Sequence, residues 1–203
     1  MRALHPELDL GPPLRQAAWS GGVFVPHALR EPFREVLVRE VGDAPFEEMP
    51  DHVGAYGVRQ QGGQFFVYGD DITGWPAIDR LRRELVRVVG EHGGDIGGAA
   101  AWEPNEAAAQ RYRAGAGGIG VHRDGKRYRL LVAIFTVEGS APLALCTDRD
   151  GTVAREWRTT PGSLTVLRGP GLGGTADGRP LHRVSGPAET RRISLTFRMS
   201  DRH

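Results

Sequence analysis

The sequence is nearly without cysteine. Cys146 stands alone, which excludes an intramolecular disulfide and any zinc site built from several thiolates. Its neighbours Leu143, Ala144 and Leu145 mark it as a buried structural thiol and not a nucleophile. Charge of one sign is also missing. Lys and Arg total 26 against 25 for Asp and Glu, a formal charge of +1. The basic excess of an ordinary nucleic-acid binder is therefore absent, although a local patch fits within a neutral total. No apolar run approaches the ~20 residues that a membrane-spanning helix needs. No basic-then-apolar leader opens the chain, and there is no internal repeat, low-complexity tract or linker. These absences lead to the expectation of a soluble, cytoplasmic, monomeric protein, with one domain over its 203 residues.

What is present is a chain of short segments, punctuated by 29 Gly and 14 Pro. Residues 1–17 read as an irregular lead-in, since Pro6, Pro12 and Pro13 interrupt any period. Val23-Phe24-Val25 reads as a strand. Leu29, Phe33, Val36, Leu37 and Val41 recur at helical spacing, and so do Ile78, Leu81, Leu85 and Val88 in a second helix opened by Trp75-Pro76. Between them, residues 45–74 mix glycine with Phe46, Tyr56, Phe65, Phe66 and Tyr68, in one or two strands and loops. From residue 107 to 199 the pattern is β-like, with candidate strands 108–112, 130–137, 143–146, 153–157, 163–167, 181–184 and 193–199. Asp148-Arg149-Asp150-Gly151 and Pro161-Gly162 supply turns. Many short strands at this spacing predict a mostly β (α+β) fold, a jelly roll with two helices packed on one sheet.

Two features carry chemistry. Gly120-Val121-His122-Arg123-Asp124-Gly125 contains a His-x-Asp pair, and Pro180-Leu181-His182-Arg183-Val184 contains a lone histidine far downstream. Residues i and i+2 of an extended strand share a side, so His122 and Asp124 can reach one metal, with His182 closing the face from another strand. Two histidines and one carboxylate form the facial triad of non-haem Fe(II), which leaves positions for a co-substrate and O₂. Alone, the His-x-Asp pair reads better as a solvated salt pair in a turn ahead of a core strand, and His182 with the arginine strand shifts the reading to a metal. The second feature is the strand Arg192-Ile193-Ser194-Leu195-Thr196-Phe197-Arg198. Alternation puts Arg192, Ser194, Thr196 and Arg198 on one face and the apolar residues on the other. That polar face suits a bound dicarboxylate, which arginine pairs bidentately.

Trp75-Pro76, Gln110-Arg111-Tyr112, His122-Arg123-Asp124, His182 and the Arg-x5-Arg strand, in this order, resemble the AlkB family of Fe(II)/2-oxoglutarate dioxygenases. The resemblance runs from about Trp75 to Met199. It implies a double-stranded β-helix that oxidises a C–H bond with Fe(II), 2-oxoglutarate and O₂, by hydroxylation or oxidative N-dealkylation. It also implies that Arg192 pairs with the far carboxylate of 2-oxoglutarate and that Arg198 lies near the metal-bound end, close to Asp124. The family has Asn-x-Tyr where this chain has Gln110 and Tyr112. Tyr112 then hydrogen-bonds the co-substrate or serves as a core aromatic, and Gln110 offers its amide one methylene further out. The nucleic-acid repair members carry an acceptor where this chain has Lys126, which offers none. They carry a stacking aromatic in a lid, and here that position is Val58, with Tyr56 nearby. Phe66 and its neighbours supply either a replacement stack or a half-buried strand. Residues 45–74 are expected to form the substrate lid. These departures favour a small-molecule substrate, with an alkylated nucleic-acid base as the alternative.

Overall fold

The computed structural model describes residues 1–202. In chain order the elements are α1 (Gly11–Ser20), β1 (Gly22–Val25), α2 (Glu31–Gly42), β2 (Glu47–Glu48), β3 (His52–Val53), β4 (Val58–Gln61), β5 (Gly63–Tyr68) and α3 (Pro76–His92). They are followed by β6 (Glu106–Tyr112), β7 (Gly118–His122), β8 (Tyr128–Glu138), β9 (Ala141–Cys146) and β10 (Val153–Thr159). The last three are β11 (Leu164–Arg168), β12 (Leu181–Val184) and β13 (Arg192–Ser200).

The strands form two antiparallel sheets. The larger runs β1-β11-β8-β13-β6-β5-β2 and the smaller runs β10-β9-β12-β7-β4-β3. From β6 onward the chain passes repeatedly from one sheet to the other, the connectivity of a jelly roll. The helices cover the outer face of the large sheet. Phe33, Leu37 and Val41 of α2 and Ile78, Leu81, Leu85 and Val89 of α3 pack there against Ala133, Phe135, Ile193, Leu195 and Phe197. The first turn of α3 has no cap from its own sequence. Instead, the Glu40 carboxylate of α2 accepts from the N–H groups of Ala77 and Ile78, at 2.9 and 2.8 Å, so an orphaned helix end is satisfied across the helix pair.

The structure corrects the reading of residues 1–17 as irregular. Their second half is a helix, α1, so the described residues hold three α-helices where two were expected. Pro12 and Pro13 do not interrupt this helix, because they occupy its first turn, where no N–H is required. Only Gly11, Leu14 and Ala17 of α1 are buried, too few to show a period. The 45–74 stretch holds four strands and not one or two, two of them only two residues long. Strand β7, unassigned from the sequence, begins at Gly118. There φ is +78° and an added Cβ would meet the Val184 carbonyl at 2.1 Å, so only glycine fits. Among the described residues no helix is long and apolar enough to cross a membrane.

Candidate active site

The two sheets face each other across a cleft. The large sheet contributes the polar face of β13, where Arg192, Ser194, Thr196 and Arg198 alternate as expected, with Gln110 and Ile134 beside them. The small sheet contributes Ile119, His122, Asp124, His182 and Val184. The space between these walls is narrow, a cavity of about 20 Å³.

His122 and His182 are directly opposite each other in the β7–β12 ladder, and the next pair in register is Ile119 with Val184. Strand β7 thus advances three residues while β12 advances two. The extra residue is a β-bulge at Gly120-Val121, which turns both Ile119 and His122 into the cleft. The bulge also supplies the acceptor that orients the imidazole, since His122 Nδ1 lies 2.8 Å from the Gly120 carbonyl. His182 Nδ1 lies 3.3 Å from the Pro180 carbonyl. A ring nitrogen facing a carbonyl carries the proton, which leaves each Nε2 lone pair free to ligate. Asp124 is not on the strand. It sits just beyond β7 in a loop, with its carboxylate Oδ2 3.7 Å from His182 Nε2. The imidazole centroids are 4.2 Å apart, and one ligand atom from each of the three residues lies within 4.8 Å of the others.

The electrostatics suit a cation. Burial pushes His182 down to about 4, helped by the neighbouring His122 and opposed by Asp124, so the ring is neutral near pH 7. Burial alone would raise the Asp124 carboxyl, but His182, Arg198, His122 and Arg179 together hold it below its ordinary value. Arg198, whose charge acts on Asp124 from a distance, pairs directly with a different carboxylate. Its Nη1 donates to Glu106 Oε1 at 2.8 Å, and its guanidinium stands 4.8 Å from the centroid of the Tyr128 ring. Glu106 is register partner to Arg198 across β6 and β13. The sequence reading passed over it, although a lone glutamate before three alanines was the available signal.

Arg192 occupies the opposite end of the cleft and is only 1% exposed. One guanidinium nitrogen reaches the Thr136 and Thr159 hydroxyls at 3.4 Å each, and the group lies 5.8 Å from the Tyr112 ring centroid. Among the described residues no carboxylate pairs with it, and burial lowers its pKa. Arg192 Nε, Arg198 Nε and Ser194 Oγ are buried without partners. Tyr112 is buried, its phenol pushed up to about 12 by burial, and its hydroxyl donates to Gln110 Oε1 at 3.3 Å. The expected Gln110 and Tyr112 are therefore already bonded to each other.

The four substrate candidates lie elsewhere. Lys126 is exposed. Tyr56 is exposed at the β3–β4 hairpin tip, with the Arg149 guanidinium 3.4 Å above its ring. Val58 packs with Met49, Tyr112 and Ile119. Phe66 is half-buried and stacks on Tyr68 at 6.0 Å. It sits opposite Ala108, itself paired with Thr196, and so shares the sheet face of the cleft without lining it. Cys146 is buried, with burial raising its thiol pKa.

No family model matches the sequence, and neither does any curated protein. Solved structures do match the fold. A Pseudomonas putida prolyl-4-hydroxylase superposes with a TM-score of 0.64 at 16% identity, covering 95% of this chain and 100% of that one. A Trichoplax adhaerens prolyl hydroxylase, in complex with a hypoxia inducible factor oxygen degradation domain peptide fragment, gives 0.64 at 12% identity, covering 93% and 88%. OsALKBH1 gives 0.62 at 14% identity, covering 88% and 97%. The chain has their fold. At these identities the likeness concerns architecture alone.

Proposed function

We propose that this chain is an Fe(II)- and 2-oxoglutarate-dependent oxygenase that oxidises a C–H bond of a small molecule. One observation carries the reading. A fully buried guanidinium without a counter-ion, Arg192, faces the same cleft as a His-Asp-His cluster. An unpaired buried charge costs several kcal/mol, and such a cost persists where a ligand removes it. The donor set of two imidazole nitrogens and one carboxylate fits Fe(II). The orphaned Arg192 Nε, Ser194 Oγ and Arg198 Nε fit a dicarboxylate.

In this reading His122, Asp124 and His182 hold the metal, which with O₂ supplies the oxidising power. Arg192 binds the far carboxylate of 2-oxoglutarate. The Thr136 and Thr159 hydroxyls keep its guanidinium aimed into the cleft. Ser194 and Thr196 donate along the chain of the co-substrate, and Tyr112, bonded to Gln110, closes that end against water. Arg198, neutralised by Glu106 on one side, keeps Asp124 ionised on the other. Hydroxylation next to nitrogen would lead to N-dealkylation.

The small-molecule reading is supported by the near-neutral total charge and the narrow cleft. Residues 45–74, whose β3–β4 hairpin carries Tyr56 and Val58, serve as the lid. Likeness to OsALKBH1 favours a second reading, demethylation of an alkylated nucleic-acid base. The deciding measurement is succinate formation from 2-oxoglutarate with Fe(II) and O₂, in the wild type and in Arg192→Ala. Turnover in the wild type that collapses in the variant is expected, and a protein that neither binds nor consumes 2-oxoglutarate refutes the assignment. Stoichiometric formaldehyde release from methylated oligonucleotides would replace the small-molecule substrate with the second reading.

A further inference from the structure

Asp124 differs from the two histidines in how it is held. Both imidazoles ride on paired strands, whereas Asp124 lies in the loop between β7 and β8, where no ladder fixes the backbone. Within that loop the Tyr128 N–H bonds the Gly125 carbonyl at 3.0 Å, a contact downstream of the carboxylate. The group that reaches Asp124 itself is Arg179, whose Nη1 donates to the Asp124 main-chain carbonyl.

Arg179 is fixed in turn. Its Nε and Nη2 donate to the two carboxylate oxygens of Asp177, each at 2.8 Å, a fork that locks the guanidinium plane. The segment carrying both residues is braced from behind by Arg168 of β11. Arg168 Nε donates to the Gly178 carbonyl at 2.7 Å, and its Nη1 donates to the Ala18 carbonyl at 2.6 Å. Ala18 lies in the last turn of α1, where carbonyls lack helical partners and favour a cation. An added Cβ at Gly178 would stand 2.4 Å from Arg168 Nε, so a side chain there would push the Arg168 guanidinium out of its place. Two residues further on, the Pro180 carbonyl orients His182. One short segment, 177–180, thus touches two of the three candidate ligands.

We propose that Arg179 is a positioning residue for the Asp124 carboxylate, held by Asp177 and braced through Gly178 and Arg168 onto the end of α1. The inference rests on the metal reading above. It explains why an arginine is half-enclosed beside a cation site: its charge is matched by Asp177, and its remaining donors go to a backbone oxygen and not to the carboxylate. Asp124 therefore keeps its oxygens for the metal.

The test uses the full chain and Mn(II) in place of Fe(II), followed by calorimetric titration, with Co(II) ligand-field absorption as the second readout. Arg179→Ala is expected to weaken Mn(II) binding by ~10–100-fold, the usual cost of losing an outer partner of a metal ligand, and to alter the Co(II) bands. Arg179→Lys should recover part of the loss, since an ammonium can reach one acceptor but cannot fork. Gly178→Ala, which removes no charge, should weaken Mn(II) in the same direction by displacing Arg168. Asp79→Ala, which removes the ion pairs of Asp79 with Arg82 and Arg83 on α3, serves as a control for lost stability and should leave both metal readouts unchanged. Wild-type uptake of Mn(II) with an Arg179→Ala affinity within twofold overturns this inference alone. Equal weakening in Asp79→Ala also overturns it, because the effect would then be general. A wild-type protein that takes up no Mn(II) overturns the metal reading and this inference together.

Discussion

Strand β13 presents two faces at the same depth with opposite chemistry. Ile193, Leu195 and Phe197 are 0% exposed, while across the strand Arg192 is 1%, Ser194 0%, Thr196 1% and Arg198 9% exposed. The apolar face is complete in itself, packed under α2 and α3. The polar face is not, since three of its buried atoms lack partners. Burial marks both faces equally, so it does not separate core from site. What separates them is whether each buried group is satisfied. A core satisfies its own groups, and a site leaves some for its ligand.

The largest expected difference comes from the helix face. Phe197→Ala should cost ~3–5 kcal/mol of unfolding free energy through a cavity that the sheet cannot close, measured by urea denaturation. Its metal affinity, read under conditions where the variant stays folded, should be that of the wild type. A metal site that fails in a folded Phe197→Ala protein would show that the two faces are not separable.

Acid should attack the other side of the sheet. His182 is held near 4 against an ordinary value of 6.5, so between these values the unfolded chain takes up a proton that the folded chain refuses. Stability of the metal-free protein therefore falls as pH drops from about 6.5 to about 4, by roughly 3 kcal/mol. Asp124, depressed as a carboxylate, adds loss in the same direction as pH falls through its folded pKa. His182→Gln should flatten the fall above pH 4. An unchanged profile would move its origin elsewhere.

Arg192→Leu sharpens the comparison most directly, since it makes the polar face resemble the apolar one. Without ligand, removal of a lone buried charge should be neutral or stabilising by ~1–4 kcal/mol, while thermal stabilisation by 2-oxoglutarate disappears. A variant destabilised by more than a few kcal/mol would mark Arg192 as structural. The smallest effect belongs to Ser194→Ala. It should leave ligand-free stability almost unchanged and weaken 2-oxoglutarate binding by ~0.5–1.5 kcal/mol, the net worth of one hydrogen bond, as read by titration.

The alternation on β13 was legible because a strand's period is a local property of its residues. The three candidate ligands were legible as residue types for a similar reason. How they meet was not. Extended spacing put His122 and Asp124 on one strand, but the bulge at Gly120-Val121 exists only in register with β12, and Asp124 reaches the cluster from a loop. Glu106 and Arg179 went unread because their partners lie 92 and 55 positions away. Helix α1 was hidden by prolines that open it, and its short length gave no period. Lys126, Tyr56 and Val58 came from resemblance alone, and the cleft wall is built without them.

Strand β13 also sits at the middle of its sheet, bonded along its length to β8 on one side and β6 on the other. The floor of the cleft is therefore the part of the molecule least free to drift, because any shift would have to be shared by both neighbours. The hairpin of β3 and β4 is an edge joined by ladders a few residues long. Change in sequence can accumulate at that edge without loss of folding, while the floor stays fixed. A different occupant on the hairpin side of the cleft would therefore leave the arginine-bearing floor where it is.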